Sequence, residues 1–131
     1  MFRRRVLPAD LAEAYEGFEA VLAEIEPAKA GLADALPGTR MPGRPLLDAL
    51  GAYDEHLAAA APLMAAWRRP QVEEVWTRCD GALATGARRS AAVRAATEPE
   101  GFEALLGVVS SLIDALEPFA DAEERFRRLR R

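Results

Sequence analysis

Residues 11–36 read LAEAYEGFEAVLAEIEPAKAGLADAL, and the spacing within this stretch decides the fold. Leu11, Tyr15, Phe18, Leu22, Ile25, Lys29, Leu32 and Leu36 recur at alternating intervals of four and three, which draws one stripe along an α-helix. Seven of the eight are apolar, and the exception, Lys29, is the only lysine in the chain. A helix with such a stripe is stabilised by packing it against other helices.

The same rhythm appears three more times. Leu46, Leu50, Tyr53, Leu57, Ala60, Met64 and Trp67 form a second seam, and Val72, Trp76, Cys79, Leu83, Gly86, Ser90 and Val93 a third. The fourth carries Phe102, Leu105, Val109, Leu112, Leu116, Phe119, Phe126 and Leu129. Punctuation separates them. Asp10 suits an N-cap for helix 1, which extends to about Leu36, and Pro37-Gly38 ends it. Residues 37–45 (PGTRMPGRP) form a Pro/Gly loop, Pro45 and Pro70 suit the first positions of helices 2 and 3, and Thr97 suits the N-cap of helix 4. The expected fold is all-α: an antiparallel up-and-down four-helix bundle with proline-kinked helices, in one domain spanning 1–131 behind a basic tail at 1–7. The alternative is three long rods, with helices 2 and 3 continuous through Pro70. Pro27, Pro62 and Pro118 fall inside helices, where each removes a backbone donor. After Pro118 the apolar pattern shifts to Ala122, Phe126 and Leu129, so a bend is expected there, turning Glu123 outward. An echo, Glu16 to Ala20 against Glu100 to Ala104, is read as coincidence in Ala/Glu-rich helices.

Composition bounds the chemistry. Half of the 131 residues are hydrophobic, which suits one domain with a sizeable core. A net charge of −4 provides no general attraction for nucleic acid or anionic lipid, and neither is expected as a partner. Met1–Arg5 is basic, but Val6–Asp10 is too short and polar for the apolar part of a signal sequence. Cys79 is the single cysteine, so an internal disulfide is impossible and a cytoplasmic location is expected.

Reactive motifs are sparse. A ferritin-type di-iron site needs Glu-x-x-His on two helices, and the one histidine, His56, has Tyr53 three residues before it. Asp10, Glu13, Glu16 and Glu19 step by three along helix 1, as carboxylate-dependent helical hydrolases require. Each step drifts by about 60°, however, and no Glu-x-x-Asp follows to complete the pattern. Arg40 and Arg44 could grip an anion from the Pro/Gly loop, although Pro-Gly pairs are ordinary turn chemistry. No catalytic residue, metal ligand or cofactor is assigned.

Three features can bear function. Lys29 at a seam position can set register or oligomeric state, or its stem can carry the ammonium to solvent. Helix 3 thins after Leu83 into small residues, giving either close packing or a groove for an apolar ligand bordered by Cys79, Gly86, Ser90 and Phe102. An up-and-down bundle also gathers arginines at the end holding both termini and the helix 2–3 turn. That end is net +4 against −8 for the remainder, and Arg68, Arg69, Arg125 and Arg128 there form a candidate patch for an acidic protein surface. The leading expectation is a non-enzymatic interaction module that binds itself or another protein. An apolar-ligand carrier and a carboxylate-dependent hydrolase are the alternatives.

Overall fold

The computed structural model describes residues 5–38 and 42–131. Five α-helices make four rods: α1 (Ala9–Ala33), α2 (Leu46–Ala60), α3 (Glu73–Ala95), α4 (Phe102–Asp114) and α5 (Pro118–Arg128), the last two being one bent rod. No strand occurs among the described residues. α1 packs on α2 and on the α4–α5 rod, and α3 packs on the same two neighbours from the opposite corner. The diagonal pairs α1/α3 and α2/α4 make no backbone approach, as in a square up-down-up-down bundle. Helices 2 and 3 are separate, because Arg68 and Arg69 are extended (ψ 115° and 151°) and a 3₁₀ turn, Pro70–Val72, leads into α3. The three-rod arrangement is thereby excluded.

The three internal prolines act differently. Pro27 is exposed and α1 runs through it unbroken, so the carbonyl it leaves unpaired faces water. Pro62 coincides with a tightening of the second rod into a 3₁₀ segment, Ala61–Trp67. Pro118 opens α5 after a turn at residues 115–117, which is the expected bend. At that bend the Leu116 amide donates to Ile113 instead of Leu112 (3.0 Å). The Leu112 carbonyl is taken up by the hydroxyl of Tyr53 at 2.9 Å, and Arg89 donates to the Ser111 carbonyl at 2.7 Å. Side chains from the neighbouring rods thus satisfy acceptors at the bend.

Several boundaries differ from the sequence reading. Pro8, not Asp10, precedes α1, and Asp10 sits in the first turn, where its negative charge still suits the positive end of the helix dipole. Helix 4 starts at Phe102 rather than after Thr97, because Pro99 disfavours helix in the preceding residue and Gly101 takes φ +86°. The echo is not structural: Gly17 lies mid-helix against Ala66, whereas Gly101 precedes a helix. Glu123 is half-buried rather than turned out, and accepts a 3.4 Å hydrogen bond from Tyr15.

The core of α1 is also redistributed. Its buried rows are Leu11, Phe18, Ile25, Leu32 and Ala14, Val21, Ala28, Ala35. Tyr15, Leu22, Lys29 and Leu36 form a half-buried flank beside them. The Leu11 row lies between the other two, and the core closes over it from the side of Ala14, Val21, Ala28 and Ala35. Toward the end holding both described termini, Phe18, Trp67 and Phe126 pack with centroids 4.9–6.0 Å apart, flanked by Tyr15 and Trp76. Val6 and Arg131 exchange two backbone hydrogen bonds of 2.9 Å there.

Candidate functional site

The outer surface of α3 is flanked by two open apolar grooves. On one side α2 and α3 bound an open groove of about 490 Å³, walled by Leu57, Ala58, Ala61, Leu83, Ala84, Ala87 and Ala91. Asp54 and Arg94 edge this groove and form an ion pair of 2.9 Å between the helices. On the other side α3 and α4 bound a groove of about 470 Å³, with Ala92, Val93 and Ala96 facing Ala104, Gly107 and Val108. Alanine at these positions forms helix as well as any residue and fills little space. The helix is continuous and both of its flanks are shallow for that reason.

The four residues expected to border a ligand groove are not brought together. Cys79, Gly86 and Ser90 point inward and are buried. Phe102 is 52% exposed, about 200° around α4 from the groove-lining Ala104. Gly86 is a close-packing position: a Cβ there would lie 2.5 Å from the Tyr53 hydroxyl and 2.9 Å from Leu57 Cδ1. The absence of a side chain at Gly86 is what lets Tyr53 reach Leu112. Burial pushes the Cys79 thiol up to about 12 and the Tyr53 hydroxyl up to about 12, so neither is a nucleophile near neutral pH. Ser90 is fully buried, and its hydroxyl meets no partner among the described residues.

The four patch arginines are committed locally. Arg68 holds Glu73 through Nε and a terminal nitrogen (2.7–3.2 Å) and stacks 4.1 Å above the Trp76 ring. That hydrogen bond lowers the Glu73 pKa. Arg69 donates to the carbonyls of Ala66 and Arg68, Arg125 to that of Gln71, and Arg128 to the Glu124 carboxylate. Arg125 and Arg128 share a surface hollow with Arg78 and Asp121, themselves paired at 2.6 Å. Two of the four patch arginines are thus paired with carboxylates and two with neutral carbonyls. Arg3, Arg4 and Arg40 lie outside the described residues.

Lys29 is not central to the core. Its ammonium reaches Glu26 at 3.2 Å on the surface of α1, and the side chain is 27% exposed. His56 Nδ1 lies 2.8 Å from Glu24 Oε2, tying α2 to α1. Asp10, Glu13, Glu16 and Glu19 are all exposed. Among the described residues no three His, Cys, Asp or Glu side chains are placed to hold a metal ion. No helix among them is long and apolar enough to cross a membrane. The sequence signalled the thinning of α3, but its seam marked the inward residues; the outward alanines lie at positions that carry no such pattern.

No protein-family model, curated protein or solved structure matches the chain.

Proposed function

We propose that this protein is a non-enzymatic helical interaction module that associates with itself through the outer surface of α3. The observation that carries this reading is the pair of open apolar grooves, about 490 and 470 Å³, on either flank of one helix. Contiguous apolar concavity on the outside of a domain marks interaction sites, whereas a ligand is ordinarily held in a cavity that encloses most of its surface. The side chains that could do chemistry support the same reading. Cys79 is buried, Tyr53 is occupied with Leu112, and the acids of α1 are spread over an exposed face. We assign the module to the cytoplasm, in keeping with its single buried cysteine.

The test is native mass spectrometry of the full chain purified from its own source, combined with light scattering over a range of concentrations. The expected result is a multiple of the chain mass with no retained small molecule. A monomer at every concentration overturns self-association. A second reading, a carrier of a small apolar ligand, is favoured by the lining of the α2–α3 groove, where Leu57 and Leu83 meet alanines. A monomer that retains a small apolar molecule would establish it in place of the first.

A further inference from the structure

We propose that the occupant of the exposed α3 face is the α3 of a second copy, crossing antiparallel about a two-fold axis that passes by Ala84. This rests on the self-association reading and specifies its geometry. Thr77, Asp80, Ala84, Arg88, Ala91 and Ala95 form one exposed row on α3. The α2–α3 groove adjoins it through Ala84 and Ala91.

Charge identifies the occupant. Elsewhere on α3, Glu73 is answered by Arg68, Arg78 by Asp121 and Arg94 by Asp54, Arg89 donates to the Ser111 carbonyl, and Glu74 lies about 80° around the helix from Ala84, off this row. Asp80 and Arg88 are in no ion pair among the described residues, and Arg88 only donates to Thr85 Oγ1 at 3.2 Å. They lie four residues either side of Ala84, about 12 Å apart along the helix, too far to pair with each other. An antiparallel two-fold through Ala84 sets Asp80 of each copy opposite Arg88 of the other, so both charges are answered at once. The same operation sets Ala91 opposite Thr77. A parallel arrangement would oppose Asp80 to Asp80 and Arg88 to Arg88, which is repulsive.

The packing is compatible. Alanine at the crossing lets two helices approach at the short end of the usual 8–10 Å. Ala58 and Ala61 on the groove wall are exposed and add apolar area that one helix pair lacks. Such a contact is isologous and closes at two copies.

The experiment uses the full chain and two exposed substitutions, Asp80→Arg and Arg88→Asp, each checked for helical content by circular dichroism. Wild type is expected to scatter as twice the 14.2 kDa chain. Each single variant opposes like charges and is expected to weaken the dimer at least about tenfold. An equimolar mixture of the two variants restores every Asp–Arg pair and is expected to recover the dimer mass, as is the chain carrying both substitutions. Independently, Ala84→Cys is expected to cross-link into a covalent dimer under mild oxidation, because residues at the axis meet their own copies. A wild-type dimer indifferent to both charge reversals, variants that dissociate but do not recover on mixing, or an Ala84→Cys dimer that does not cross-link would overturn this geometry alone. A wild type monomeric up to about 100 μM would overturn both it and the self-association reading.

Discussion

Single residues show how position outweighs identity. Lys29 follows the heptad spacing of its helix, yet the buried centre belongs to Ala28, and the lysine pairs with Glu26 at the surface. Lys29→Met is therefore expected to change stability by no more than about 0.5 kcal/mol and to leave the subunit count unaltered, as thermal melts and light scattering would report. Tyr53 is the opposite case. Removing its hydroxyl strands the Leu112 carbonyl in the core, so Tyr53→Phe is expected to cost about 1–2 kcal/mol in urea unfolding. Its ionisation adds a pH dependence. Burial raises the hydroxyl from 10.0 to about 12, so between those values the unfolded chain loses the proton first and the folded state does not. The contribution is fully present below pH 10 and is lost as pH rises toward 12. Alkaline unfolding should accordingly be shallower over that window in Tyr53→Phe than in the parent. Cys79 should be silent to a thiol reagent until denaturant is added.

At the level of elements, glycine reports where rods touch. A helix interior ordinarily gains about 0.5–1 kcal/mol when glycine becomes alanine. Gly51 in α2 and Gly107 in α4 have nothing within 4 Å of a built Cβ, and Gly51→Ala and Gly107→Ala are expected to stabilise by about that amount. Gly17 in α1 is different, since a Cβ there would meet Ala66 Cβ at 2.9 Å and the Ala66 carbonyl carbon and oxygen at 3.2 Å. Backbone cannot swing aside as a side-chain tip can, so Gly17→Ala is expected to destabilise by about 1–3 kcal/mol despite better helix propensity. Opposite signs for the same substitution in three helices, read from denaturant midpoints, would verify the α1 contact with the 3₁₀ segment. Equal stabilisation at all three would contradict it.

For the molecule as a whole, the distribution of charge bears on its partners. Of the arginines at the end holding the described termini, Arg68 is held by Glu73, Arg127 and Arg128 by Glu124, and Arg69 and Arg125 by carbonyls, and the net charge of the chain is −4. Titration with duplex and single-stranded DNA is expected to give no binding tighter than about micromolar at about 200 mM salt, because a net charge of −4 provides no general attraction for phosphates. A tight complex with a steep salt dependence would return that end to consideration as a nucleic-acid surface.

How much was legible in the sequence follows from the range of the interactions. Four seams and the bend at Pro118 could be read from the chain alone, since helical periodicity and the missing proline donor act within a turn or two, whereas the break at Arg68-Arg69-Pro70 was open until the extended backbone of Arg68 and Arg69 separated the rods. The start of helix 4 was misplaced because Thr97 is a good cap on its own, and only the extended run into Gly101 denies it that role. Which of two adjacent rows on α1 is central was undecidable, because Ala14, Val21, Ala28 and Ala35 border the same stripe as Tyr15, Leu22, Lys29 and Leu36. The placement of the neighbouring rods makes that choice, burying the first row and leaving the second at the edge. The pairing of Arg94 with Asp54, the seating of Tyr53 over Gly86, and the contacts of Arg78 with Asp121 and Arg125 with Gln71 link residues far apart in the chain. Local sequence determined the helices and their faces; only tertiary packing decided which faces were closed, and left the outer side of α3 open.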